Sequence, residues 1–319
     1  MHILPIILLG LALFADPAAA TEAIAPPAHE SDVYFAKQLG APAGSAYTVG
    51  FDRLYRINLS TGERTLIGQV RDDSLVYNDI EGLAFSPDGV LYGVTDYALK
   101  VLLRIDPATG RAQPIGNLGL NGQGVGPNDQ LDFGLAFTCD GKLWLSSDAT
   151  RRLWEVDPNS GQARLVGELG VPITGLAGRD KELYGLGGKG DRNLYRIDRE
   201  TARVEPIGPV KPAEGVAWSQ GGLDFDAQGV LWASLDYVPN ALRPADLLRV
   251  DPESGRGTLV ATLALVDNTG ARSLAMAPPP CASPAGVLPP PRPVPAISQP
   301  FLLLTLGLVL ALLAGRRLS

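Results

Sequence analysis

Histidine is almost missing from this 319-residue chain, which has only His2 and His29. His2 falls in an N-terminal segment that reads as a cleaved leader, and His29 precedes every repeat described below. A Ser-His-Asp hydrolase, a His-ligated zinc and a His-ligated haem are thereby all but excluded from the repeated region. Paired carboxylates remain available as acid and base, but no spacing singles out one pair. Basic runs are missing too: 27 Lys and Arg stand against 34 Asp and Glu, a formal net charge of −7. Phosphate backbones need clustered cations, so nucleic acid is disfavoured as a partner. Cysteine is limited to Cys139 and Cys281, enough for one disulfide in an exported protein.

Long apolar runs occur only at the two ends. Ile3 to Phe14 is followed by Asp16-Pro17 and Ala18-Ala19-Ala20, the form of a secretory signal cut after Ala20. Phe301 to Ala314 is followed by Arg316-Arg317. A bilayer core takes about 20 apolar residues in a helix, which this run approaches if it starts near Ile297. The arginine pair then stays on the cytoplasmic side and leaves everything before it outside. The alternative is a buried C-terminal core helix. Five segments result: signal peptide 1–20, N-terminal arm 21–45, repeats 46–277, Pro-rich tether 278–296, and sorting segment 297–319. The tether holds Pro278-Pro279-Pro280 and Pro289-Pro290-Pro291 and should be extended and semi-rigid.

Between the ends one phrase recurs five times. Leu102-Leu103-Arg104-Ile105-Asp106-Pro107-Ala108-Thr109-Gly110 leads to Ile115-Gly116, a strand, a tight turn and a return strand. The position of Ile57 recurs at Ile105, Val156, Ile197 and Val250, in steps of 48, 51, 41 and 53 residues. An all-strand repeat of that length predicts a β-propeller. In its full form the unit begins with Gly82 to Tyr92, an inner strand A, a Pro-Asp-Gly turn and strand B. Strand C carries Leu-x-Arg-Ile, and strand D ends in Ile-Gly. Ala46 to Val49 already reads as a strand B, and its inner strand reappears as Ser273 to Met276. The fold class expected is all-β, a propeller of five four-stranded blades closed by the C-terminal strand. Six blades is the alternative, if the arm contributes one.

In such a ring the start of strand A and the B–C loop open on one face, and the A–B and C–D turns on the other. The Asp and Thr of the compact turns read as turn-formers that bond their own backbone. The first face has longer loops rich in carboxylates: Asp79 and Glu81 at one inner strand, Asn128, Asp129 and Asp132 at the next. Strand B ends in Asp96, Asp148 and Asp236. Oxygen ligands converging on a channel mouth suit calcium, which takes six to eight oxygens. The alternative for Asp96, Asp148 and Asp236 is that each caps its own B–C turn. Arg272 precedes the closing strand and is placed to neutralise part of this acidic set. Cys139 and Cys281 both fall on the compact face, but on blades that are not neighbours. A bridge there needs Cα atoms within about 7 Å, and two free thiols are the other outcome.

Three resemblances are carried by these residues. Val294-Pro295-Ala296-Ile297-Ser298, the apolar run and Arg316-Arg317 resemble the IPTL-CTERM and PEP-CTERM sorting signals of bacterial surface proteins, with Ala296 where threonine is usual. That implies transient membrane anchoring and processing by a dedicated transpeptidase-like enzyme. The repeats resemble bacterial NHL-type and quinoprotein-like propellers, although the quinone-binding tryptophan after the Thr-Gly turn is absent. Glu81-Gly82 resembles the metal-binding glutamate of gluconolactonase-type propellers. That family also uses an Asn and an Asp, for which Asn128 and Asp236 are the candidates, and six blades. The metal would polarise a lactone carbonyl and activate water. The function expected is an exported, envelope-anchored, non-catalytic binding propeller, monomeric, taking a surface protein, a polymer or a small ligand. A calcium-dependent lactonase and a structural spacer are the alternatives.

Overall fold

The computed structural model describes residues 45–277 and 281, apart from 97–98, 212–214, 240 and 267–269. The signal, arm, tether and sorting segments, with Val294 to Ser298 and Arg316-Arg317, lie outside the described residues, apart from Ser45 and Cys281.

Twenty strands form five four-stranded antiparallel sheets. Blade 1 holds β1 (Ser45–Gly50), β2 (Arg53–Asn58) and β3 (Arg64–Gln69). Blade 2 is β4 (Ile80–Phe85), β5 (Leu91–Thr95), β6 (Val101–Ile105) and β7 (Ala112–Asn117). Blade 3 is β8 (Phe133–Phe137), β9 (Leu143–Ser147), β10 (Arg152–Val156) and β11 (Ala163–Glu168). Blade 4 is β12 (Ile173–Arg179), β13 (Glu182–Gly187), β14 (Asn193–Ile197) and β15 (Val204–Pro209). Blade 5 is β16 (Gln220–Phe225), β17 (Leu231–Asp236), β18 (Ala245–Val250) and β19 (Gly257–Leu263). The last strand, β20 (Ala275–Ala277), pairs with β1 and completes blade 1. There are five blades rather than six, and the ring closes as the repeats predict.

Both faces of a blade are apolar because each is covered by a neighbouring blade. The core accordingly falls into five clusters, one per interface. At three of them a strand-B tyrosine meets the next blade's strand-A phenylalanine edge to face, as Tyr47–Phe85, Tyr92–Phe137 and Tyr184–Phe225.

The Ile-Gly at the end of strand D has a packing reason. A Cβ on Gly116 would lie 2.1 Å from the carbonyl oxygen of Ser160, in the next blade's C–D turn. In that turn Gly161 takes φ +78°, where a side chain would be strained. The turn aspartates behave as turn-formers: Asp106 accepts from the Ala108 N–H and the Thr109 hydroxyl. All five outer pairings carry a register shift at the same point of strand C. Such bulges, with Pro114 and Pro206 on the outermost strands, keep exposed edges from pairing with another chain.

On the compact face Cys139 and Cys281 are joined in a disulfide, with Cα atoms 5.2 Å apart. It runs from the β8–β9 turn of blade 3 to the segment just past β20.

Candidate functional site: the charged mouth of the channel

The inner strands β4, β8, β12, β16 and β20 pack side by side around the axis. Each brings a residue-Gly-Leu step, or Arg272-Ser273-Leu274, to the narrow channel between them. Glycine is needed there: a Cβ on Gly82 would lie 2.7 Å from Leu135 Cβ, and one on Gly222 2.1 Å from Leu274 N. This close approach brings side chains at the strand starts within reach of one another across the axis.

The result is one polar belt to which all five blades contribute. Arg272 of blade 1 donates from Nη1 to Asp79 Oδ1 and Glu81 Oε1, both at 3.1 Å. The blade 3 backbone N–H of Phe133 donates to Glu81 Oε2 at 3.0 Å. Gln220 of blade 5 reaches Glu81 Oε2 at 3.5 Å and Asp132 Oδ1 at 3.2 Å. Lys189 of blade 4 donates to Asp132 Oδ2 at 2.7 Å and stands 2.9 Å from Asp148 Oδ1. Neither Asp148 oxygen accepts a hydrogen bond, so Lys189 meets it as an ion contact. Beside the belt, the buried Lys100 ammonium is shared between Asp96 Oδ1 at 2.9 Å and Asp129, whose backbone O it reaches at 2.6 Å.

The backbone is bent to make this possible. Of eight non-glycine residues with positive φ among the described residues, six lie on this face: Phe51, Asp79, Asp129, Asp132, Arg151 and Lys189. The left-handed region costs an L-residue roughly 1–2 kcal/mol, less for Asp. Such strain persists where surrounding contacts over-determine the geometry, and it concentrates at functional sites.

Electrostatics follow from burial. Glu81 is 3% exposed; burial and then the Asp132 charge raise its pKa well above the usual carboxylate range, against the pull of Arg272. Asp148 is raised in the same way, by burial and Asp132. Burial also raises Asp79 and Asp96. Burial works against the charges of Arg272 and Lys189, yet the facing carboxylates raise both: Glu81 and Asp79 for Arg272, Asp148 and Asp132 for Lys189.

The residues picked from sequence are thus only partly assembled. Asp79, Glu81, Asp132 and Asp148 share the belt, and Asp96 and Asp129 adjoin it through Lys100. Asp96 Oδ1 accepts from Lys100 in its own B–C loop, and its Oδ2 accepts from the Leu131 and Asp132 N–H groups of the next blade. Asp236 does cap its own turn, accepting from Val238 N at 3.0 Å. Asn128 is exposed on the rim. The set Glu81, Asn128, Asp236 is therefore not the one that gathers; Glu81, Asp96 and Asp132 are, with oxygens within 4.8 Å of one another. The five blades differ from the six that the gluconolactonase-type resemblance implies. As a cation cage the three fit poorly: each already accepts from an N–H group of the protein, and a divalent ion would have to displace Lys189 or Arg272.

Lys189, Lys100 and Gln220 escaped the sequence reading. One signal was present: Lys189 follows Gly187-Gly188 at the end of strand B, where blades 2, 3 and 5 have aspartate.

No protein-family model matches the chain, and no curated protein sequence matches it. Among solved structures, the nidogen/laminin complex aligns with 72% of this chain and 97% of its own, at 15% identity and a TM-score of 0.47. A protein of unknown function from Bacteroides caccae aligns with 72% and 97%, at 14% identity and a TM-score of 0.45. At these values no function passes from either protein to this one.

Proposed function

We propose that the chain is an exported, envelope-anchored β-propeller that binds a ligand non-catalytically at the charged mouth of its channel. The observation that carries this reading is the belt itself. All five blades contribute to it, Asp79, Asp132 and Lys189 take strained backbone to bring Arg272, Lys189 and four carboxylates together, and the two cations keep 25% and 38% of their side chains exposed. The hydrogen bonds they already make fix their positions before any ligand arrives, which lowers the cost of ordering on binding. The apolar ends and the sorting-type tail read from the sequence support export and anchoring.

A catalytic reading is weaker here. The raised pKa of Glu81 suits a general acid, but its two oxygens are engaged by Arg272, Phe133 N and Gln220. The test is a glycan and peptide array probed with residues 21–296, in wild type and in Arg272→Ala and Lys189→Ala. Ligands lost in both variants, with melting still cooperative, support the proposal. Turnover of a lactone or ester panel that disappears in Glu81→Gln would replace it with an enzyme.

A further inference from the structure

The C–D turns share one plan, and blade 1 departs from it at its first residue. In blades 2, 3 and 5 the turn opens on Asp106, Asp157 and Asp251. One carboxylate oxygen of each accepts a backbone N–H two residues on, from Ala108, Asn159 or Glu253. The other accepts the hydroxyl three residues on, from Thr109, Ser160 or Ser254. Blade 4 opens on Asp198, whose Oδ1 accepts from Glu200 N and Thr201 N.

Blade 1 has Asn58 in that place. Its Oδ1 takes every donor: Ser60 N at 3.0 Å, the Ser60 hydroxyl at 2.6 Å and Thr61 N at 3.3 Å. Its Nδ2 stands in for the second oxygen and cannot accept the Thr61 hydroxyl. The residue is exposed, and among the described residues no acceptor reaches that nitrogen. An aspartate would cap this turn as it caps the other four. Turn formation therefore accounts for Oδ1 and leaves the amide nitrogen unexplained.

The next two residues supply a reason. Asn58-Leu59-Ser60 is an Asn-x-Ser sequence, and none of the other eight asparagines has Ser or Thr two residues on. In an exported chain this is the acceptor pattern for an N-linked glycan. The local geometry suits the chemistry. An amide nitrogen is a poor nucleophile because its lone pair is delocalised into the carbonyl. Donors on Oδ1 stabilise the negative charge that collects there as Nδ2 gives up a proton, which frees the lone pair to attack. The arrangement involves residues 58–61 alone, so it forms within the β2–β3 hairpin and needs no other blade. Ser60 and Thr61 are exposed beside it, and the turn lies on the compact face, away from the mouth.

We propose that Asn58 carries an N-linked glycan, added outside the cytoplasm from a lipid-borne glycosyl diphosphate. The inference rests on the export held in the proposed function, and not on ligand binding at the mouth. In the transfer Nδ2 bonds to the sugar's C1 as the C1–O bond to the diphosphate breaks. The bonding pair leaves with the diphosphate, and the Nδ2 proton passes to a base of the transferase. The turn packs on blade 5, where a Cβ on Gly62 would lie 2.5 Å from Thr262 O. A glycan on Asn58 thus stands beside the seam between the last blade and the first, and leaves the mouth open.

The test is mass mapping of the tryptic peptide Ile57–Arg64 from mature protein isolated from the envelope of the cells that make it. The peptide should be heavier than its sequence by whole sugar residues, and an amidase specific for N-glycans should remove them. Asn58→Asp and Ser60→Ala should each abolish the added mass, while Ser60→Thr should keep it. Asn58→Asp should still melt cooperatively, since four blades already carry aspartate there, so misfolding cannot explain its loss of sugar. A mature chain with its leader removed and this peptide unmodified overturns the inference and leaves the proposed function standing. Sugar that persists in Asn58→Asp sits on a hydroxyl and overturns the inference as well. A chain retained inside the cell with its leader uncut and this peptide unmodified overturns both.

Discussion

Asp224 of β16 accepts the backbone N–H of Met276 in β20 at 2.7 Å. This is a side chain of the last full blade holding the strand that closes the first. The corresponding positions in the other blades are Ala84, Ala136 and Ala177, which carry no such group. Burial pushes the Asp224 carboxyl up to about 7, against the Met276 and Phe225 N–H groups that pull it down. Part of the residue stays accessible, which keeps it in exchange with solvent.

A folded-state pKa above the unfolded value means that the folded protein holds the proton more tightly. Asp224 should therefore favour folding below about pH 4, and this contribution should decline as pH rises toward 7 and be lost above it. The melting temperature of wild type should fall across that window by more than that of Asp224→Asn, which keeps an acceptor for Met276. Parallel pH-melting curves for the two proteins would refute the assignment.

The disulfide spans 142 residues of sequence, and β20 is paired through only three residues. Replacing Cys139 and Cys281 together by serine should lower stability by about 2–4 kcal/mol, measured by urea unfolding. Loss of protection should appear first at Ala275–Ala277 in hydrogen exchange. An unchanged urea midpoint would mean that the strand holds without its staple.

Gly116→Ala should destabilise the ring by about 3 kcal/mol, because its Cβ meets a backbone oxygen at 2.1 Å. Gly141→Ala tests a different cost, since open space surrounds that glycine and only its φ of +78° opposes a side chain. It should cost about 1 kcal/mol. Thermal melts of the pair separate packing between blades from backbone strain. Equal losses would remove the packing explanation of the repeated Ile-Gly.

Calcium should leave the wild-type melting temperature unchanged, because Asp79, Glu81 and Asp132 already accept hydrogen bonds and Asp148 is already paired with the Lys189 ammonium. In Lys189→Ala the Asp132 and Asp148 charges lose their ammonium, and stability should fall by about 2 kcal/mol. Millimolar calcium should then recover part of the loss. A rise in the wild-type melting temperature that Glu81→Gln abolishes would restore the metal reading.

The ring was legible in the sequence because it is periodic: Leu-x-Arg-Ile and Ile-Gly repeat, and the missing inner strand of blade 1 reappears at Ser273. Its mouth was legible only in part. Glu81 and Gln220 meet across 139 residues, and Lys189, Lys100 and Arg272 each occur once, so no period announces their convergence. The strain at Phe51 is likewise a backbone fact that its residue type argues against. Repetition encodes what every blade must do, whereas a site is built from the places where blades differ.

Blade 1 also sets an order of assembly. Among the described strands its β1 is the first made and its β20 the last, so a chain synthesised from its N-terminus holds an open ring until β20 is made. The edge of β1 stays uncovered until β20 arrives, and the cysteine pair cannot form before Cys281 follows it. Final closure thus waits for β20 and Cys281, and until then the uncovered edge of β1 is where a folding helper would have to act.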